Sequence, residues 1–132
     1  MKTETVTLAE KKAYLREMRQ KRKFLLDYHK VLVAEDLPFM KGITDLLTVA
    51  YSDQRILSKK VKDLIFTVVL TAIGGPKDII KLHIDLAKKE GATKEEVLEA
   101  LEILVLPCGL PKFFVGYEAW TESFEVSRVE PD

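Results

Sequence analysis

The chain of 132 residues has little of what unusual chemistry needs. There is one cysteine, Cys108, which excludes an internal disulfide, a CxxC redox pair and a multi-cysteine zinc site. A lone thiol also fits a reducing compartment. Net charge is missing too, with 21 Lys plus Arg against 21 Asp plus Glu. Without a positive excess, general nucleic-acid binding is not expected. A neutral surface repels its own copies weakly, so self-association is allowed. Long hydrophobic runs are absent. The longest, around Leu64–Ile73 and Ile103–Leu106, fall short of the roughly 20 residues a bilayer demands. The segment Met1–Lys12 lacks the apolar core of a signal peptide. The expectation is a cytoplasmic, soluble protein with neither nucleic acid nor membrane as partner. Glycine and proline are sparse, six and five residues, and stand mostly as punctuation between periodic segments.

What remains is a chain 47% hydrophobic and 32% charged, the balance of one globular domain. Helical periodicity dominates, with no strand alternation and no Asn-Gly or Asp-Gly hairpin signal, so the expected class is all-α with about six helices. Thr7 and Glu10 match a capping box, opening a first helix expected to run to about Ala34. Pro38 opens a second, with Phe39, Met40, Ile43, Leu46, Leu47 and Ala50 as its apolar stripe. Ser58 caps a third, which ends at Gly74-Gly75. The fourth spans about Pro76 to Glu90. Thr93 and Glu96 form a second capping box, for a helix reaching about Leu106. The cluster Pro107–Pro111 breaks the chain before a last helix with Phe113, Phe114, Tyr117 and Trp120. This is one domain over 1–132, with N-terminal helices to residue 56, a core over 57–120 and a polar, loose tail over 121–132. The third and fifth helices are apolar on most sides, which predicts burial partly against another subunit, with burial inside the domain core as the rival. The basic run Arg16–Lys23 reads as a solvated helix face.

Candidate chemistry centres on His83. At 100° per residue, with Lys81 at zero, His83 falls at about 200°, opposite the wet face of Lys77, Asp85 and Lys88. It is therefore expected at the centre of the buried stripe, where a neutral imidazole accepts and returns protons, or else sits as a core histidine bonded to a carbonyl. Asp63 either faces His83 and orients it or belongs to an exposed first turn with Lys59, Lys60 and Lys62. His29 reads as a surface or helix-end residue. Cys108 is expected in a non-helical kink beside buried side chains, as a small hydrophobe or a thiol with altered reactivity. No P-loop, GxGxxG, HExxH or EF-hand pattern occurs, and a metal site has little support.

Leu57–Ile65, followed by an apolar helix to Gly74, resembles the opening of the carboxymuconolactone decarboxylase family domain. Ile80-Lys81-Leu82-His83 and then Gly91-Ala92-Thr93-Lys94-Glu95-Glu96-Val97 resemble its central signature. Cys108-Gly109-Leu110-Pro111 matches its next bend. The similarity covers about Leu57 to Trp120. Alkylhydroperoxidase-like relatives carry C-x-x-C-x-x-x-H. Pro76 and Ile79 stand at the two cysteine positions here, so disulfide-based peroxidase chemistry is excluded. The resemblance implies an alkylhydroperoxidase-like helical fold, an orthogonal bundle assembled as a trimer or hexamer. It further implies a small-molecule lyase, a carboxy-lyase (decarboxylase), that uses no metal or organic cofactor, with His83 as proton donor and Asp63 beside it. Amides at the Pro76 helix start, Cys108 and Tyr117 would then line the substrate pocket. The rival readings are a non-catalytic oligomeric or small-ligand-binding relative, and an oxidoreductase working without the cysteine pair. A closed polar pocket around His83 with at least one cation would mark the enzyme.

Overall fold

A computed structural model describes residues 5–132, so residues 1–4 of the Met1–Lys12 segment lie outside it. The described residues contain helices and turns and no strand. They fall into two compact units, Met1–Asp53 and Gln54–Asp132.

The first unit holds α1 (Leu8–Arg22), α2 (Asp27–Glu35) and α3 (Leu37–Leu47), with a π-helical turn over Thr48–Ser52. The capping box is present: Thr7 Oγ1 accepts from Glu10 N at 3.2 Å, and Glu10 Oε2 accepts from Thr7 N at 2.6 Å. The single helix expected to reach Ala34 is instead two. Lys23 adopts the left-handed conformation at φ 68°, the only non-glycine described residue with positive φ. Its N–H still donates to Arg19 O, which closes α1 with Arg19, Lys21 and Arg22 in the last turn. Cations there offset the helix dipole. The basic run thus ends a helix rather than continuing one. Met18, Val33, Leu37 and Met40 form this unit's core, with Tyr14, Leu15, Leu32 and Ile43 packed around them. Two residues of the stripe expected on α3, Phe39 and Leu46, are exposed.

His29 is fully buried in this core, contrary to the surface reading. Its polar sequence neighbours concealed a capping role. Nδ1 lies 3.0 Å from the N–H of Leu26, the N-cap of α2. Nε2 lies 3.0 Å from Arg22 Nη1. Both ring nitrogens lie beside N–H groups; the neutral ring can accept at only one of them and a protonated ring at neither. Burial first, and the Arg22 charge second, push its pKa down to about 4.

The second unit contains α4 (Lys59–Ala72), α5 (Lys77–Lys89), α6 (Lys94–Ile103), a single turn α7 (Val105–Cys108) and α8 (Leu110–Ser123). Helix α5 packs between α4 and α8. Ile80, Ile84 and Ala87 from α5 meet Val97, Leu101 and Leu104, and Ala119 and Trp120 of α8, in one core. The chain past α8 is not loose at first, because Phe124 and Val126 pack back on this core. Gly109, at φ 82°, turns the chain between α7 and α8. Cys108 therefore ends a helical turn and is exposed, not tucked among apolar side chains as expected.

Helix α4 is amphipathic in the unusual sense. Its buried residues are Asp63, Thr67 and Thr71, four apart on one line. Each threonine hydroxyl donates to the carbonyl four residues back, Thr67 to Asp63 O at 2.8 Å and Thr71 to Thr67 O at 2.7 Å. These bonds satisfy hydroxyls that burial would otherwise penalise. Ile65, Val69 and Ile73 project from the opposite side and are 48%, 50% and 70% exposed. Helix α4 thus turns a polar line inward, flanked by Leu64, Val68 and Leu70 packed on the core, and an aliphatic line outward.

Candidate active site

Ser58 starts the site by fixing where α4 begins. Its Oγ accepts from Val61 N at 3.2 Å. That places Lys59 in the first turn and Asp63 one turn later, on the same face. The Asp63 carboxylate is fully buried, so the exposed-face alternative falls. A buried carboxylate needs partners to offset lost hydration. Lys59 Nζ supplies one, 3.1 Å from Oδ2 and 3.3 Å from Oδ1. His83 of α5 supplies another, with Nδ1 3.5 Å from Oδ1.

His83 is not at the centre of the buried stripe. Ile80, Ile84 and Ala87 hold that centre, at about 260°, 300° and 240° on the wheel that puts His83 at about 200°. The histidine therefore sits on the flank, where its side chain keeps 12% exposure. Phe66 stacks on the ring, with centroids 4.2 Å apart and planes 6° from parallel. The stack fixes the plane of the imidazole, and the carboxylate fixes which edge points inward. With Nδ1 toward Asp63, Nε2 lies on the opposite edge. Lys59 is 33% exposed, so its charge links the buried carboxylate to the surface. The arrangement is a line of cation, carboxylate and imidazole, the set that orients a ring for proton transfer.

Of the five residues singled out in the sequence, the structure joins only Asp63 and His83. Pro76 is the N-cap of α5 and lies seven residues before His83, about 10 Å along the axis. The Ile79 amide at that helix start already donates to Asp78 Oδ1 at 3.0 Å. Tyr117 stacks near Phe113 at 6.0 Å and meets Trp120 at 6.3 Å. Neither Tyr117, Cys108 nor Pro76 makes a hydrogen bond, ion pair or ring contact with Asp63 or His83. Lys59 was the cation the sequence reading lacked. Its i, i+4 spacing from Asp63 was a signal for it, but only once Asp63 was known to point inward. Among the described residues, no group of three His, Cys, Asp or Glu side chains converges as a metal site. No helix among them is long and apolar enough to cross a membrane.

Comparison with known proteins bears on the same residues. No curated protein and no solved structure matches the chain significantly. The model of the carboxymuconolactone decarboxylase family matches residues 38–122, beginning upstream of the Leu57–Trp120 resemblance read from motifs. That span takes in both Asp63 and His83, and it exceeds half of the sequence. On this match and an all-helical fold, the chain belongs to the carboxymuconolactone decarboxylase family.

Proposed function

We propose that the protein is a cofactor-independent carboxy-lyase acting on a small lactone acid, with His83 as proton donor. The observation that carries this is the Asp63–His83 contact, flanked by a cation, within the family-matched span. In the proposed reaction the bond from a ring carbon to the substrate carboxylate breaks, and CO₂ leaves. The electron pair passes into the lactone carbonyl as a dienolate, so the substrate is its own electron sink. The imidazolium then delivers the Nε2 proton to carbon, and the neutral ring regains a proton from water. Asp63 holds the ring's other edge and balances the imidazolium charge. The Lys59 ammonium, partly exposed, is suited to meet a substrate carboxylate or the developing enolate oxygen.

The proposed setting is the cytoplasm, on the evidence of a single cysteine. Self-association as a trimer or hexamer is part of the proposal, supported by the outward aliphatic line of α4. A non-catalytic, ligand-binding relative is the second reading. It draws on the close Phe66 stack and on two cavities that are lined by residues of the first unit and not by His83.

The deciding experiment follows CO₂ release from γ-lactone carboxylic acids by the wild type, His83→Ala and Asp63→Asn. The expected result is a loss of about a hundredfold or more in His83→Ala and a smaller loss in Asp63→Asn. Turnover that survives unchanged in His83→Ala removes the proton-donor role. Absence of turnover across the series in folded wild type favours the second reading.

A further inference from the structure

The first unit carries an open cavity of about 350 Å³ that the Asp63–His83 reading does not use. Its size lies at the small end of the ~300–1,000 Å³ common for small-molecule sites. Met18 gives it an apolar floor, and hydroxyls from Tyr14, Thr44, Thr48 and Ser52 line it. Lys21 and Arg22 are the cations at its wall. The guanidinium is held by two uncharged groups, His29 Nε2 at 3.0 Å from Nη1 and Thr44 Oγ1 at 3.4 Å from Nη2. It has no carboxylate partner among the described residues, unlike neighbouring Lys21, which pairs with Glu17 at 2.8 Å. A guanidinium has five donors, and at most two are engaged here.

The surroundings are built rather than incidental. His29, which orients Arg22, is fully buried. Thr44 Oγ1 accepts from Tyr14 OH at 2.9 Å as well as from Arg22, so its own hydrogen is left for another acceptor. Thr48 Oγ1 donates to Thr44 O at 2.7 Å, where the α-helix gives way to the π turn. Asp53 N to Thr48 O, at 2.8 Å, closes that turn. Single π turns occur often where a helix is shaped for function.

We infer that this cavity binds a small organic carboxylate bearing a hydroxyl or amino donor. Arg22 would take the carboxylate through its remaining N–H groups, the geometry a guanidinium matches best. Glu17 and Asp53 also reach the wall. They oppose a phosphate dianion and accept from the ligand's donor group. With Lys21 the wall carries two cations and two carboxylates, a net charge of zero that opposes a dianion more than a monoanion.

The test is a ¹H–¹⁵N NMR titration of the full chain with sodium L-lactate and, at matched ionic strength, with inorganic phosphate. Lactate is expected to give saturable shifts at the amides of Tyr14, Thr44 and Thr48 through Ser52, with phosphate weaker. Arg22→Gln is expected to weaken lactate binding about tenfold or more. If that variant does not fold, Tyr14→Phe replaces it, with an expected loss of about threefold. No saturable shift with lactate, equal or stronger shifts with phosphate, or undiminished lactate binding in the folded variant would each overturn the assignment.

Discussion

His29 and His83 show how far one residue's setting decides its chemistry. His29 has both nitrogens against donors and sits in a sealed core, so the neutral ring is held down to a pKa of about 4. Unfolding restores a value near 6.5. Between these two values the unfolded chain binds a proton that the folded chain refuses. Stability therefore falls as pH drops from about 6.5 to about 4, by roughly 2–3 kcal/mol, and this contribution is whole above pH 6.5. Urea unfolding at a series of pH values is expected to show that slope. In His29→Gln the slope over this window should flatten, although the variant is less stable at pH 7. Glu10, Glu17 and Glu96, whose hydrogen bonds hold their carboxyls below the usual range, act only further down in pH. His83, by contrast, faces a carboxylate and keeps a solvent edge, which suits it to exchange protons. Spacing placed His83 on a partly buried face and missed the burial of His29. Angular position on a helix is readable from spacing. A ring that caps the next helix through its own Nδ1 looks, in sequence, like any polar helix end.

At the scale of elements, the helix starts were the most legible feature. Thr7, Ser58 and Thr93 each cap the helix their spacing announces. The Thr93–Glu96 box also reaches beyond its helix, because Glu96 Oε2 meets Lys60 Nζ at 2.7 Å and so ties α6 to α4. Thr93→Ala is expected to cost about 1 kcal/mol, read as a lowered urea midpoint. A larger loss belongs to Gly116 on α8. A Cβ there would stand 2.7 Å from Leu101 Cδ2 and 2.8 Å from Thr71 Cγ2. Thr71 is β-branched and bonded to Thr67 O, so it has little room to yield. Gly116→Ala should therefore destabilise by about 1–3 kcal/mol despite its better helix propensity, with the melting temperature falling accordingly. Helix ends were harder to place. The stop at Lys23 uses no glycine or proline, and the cluster Pro107–Pro111 admits a helical turn before Gly109 redirects the chain.

For the whole molecule, the outward line Ile65, Val69 and Ile73 carries the proposed self-association. Ile103, at 62% exposed, and Leu106, at 89%, add aliphatic surface in the same unit. Light scattering after size exclusion is expected to give a mass several times the 15.1 kDa of one chain. Val69→Glu should shift it to a single chain, because a charge buried at such a contact lacks a partner. A monomeric wild type at micromolar concentration would end the proposal.

Composition and periodicity alone determined that this chain is helical and where most of its helices begin. Those properties follow from local spacing and from caps within four residues of their partners. Only the tertiary structure decided that Asp63 turns inward with two threonines while isoleucine and valine turn out. Likewise, only packing decided that Lys59 and His83 meet at Asp63 and that His29 is buried beside Arg22. Such choices depend on which face of a helix meets a neighbour distant in sequence, and no local pattern encodes that neighbour.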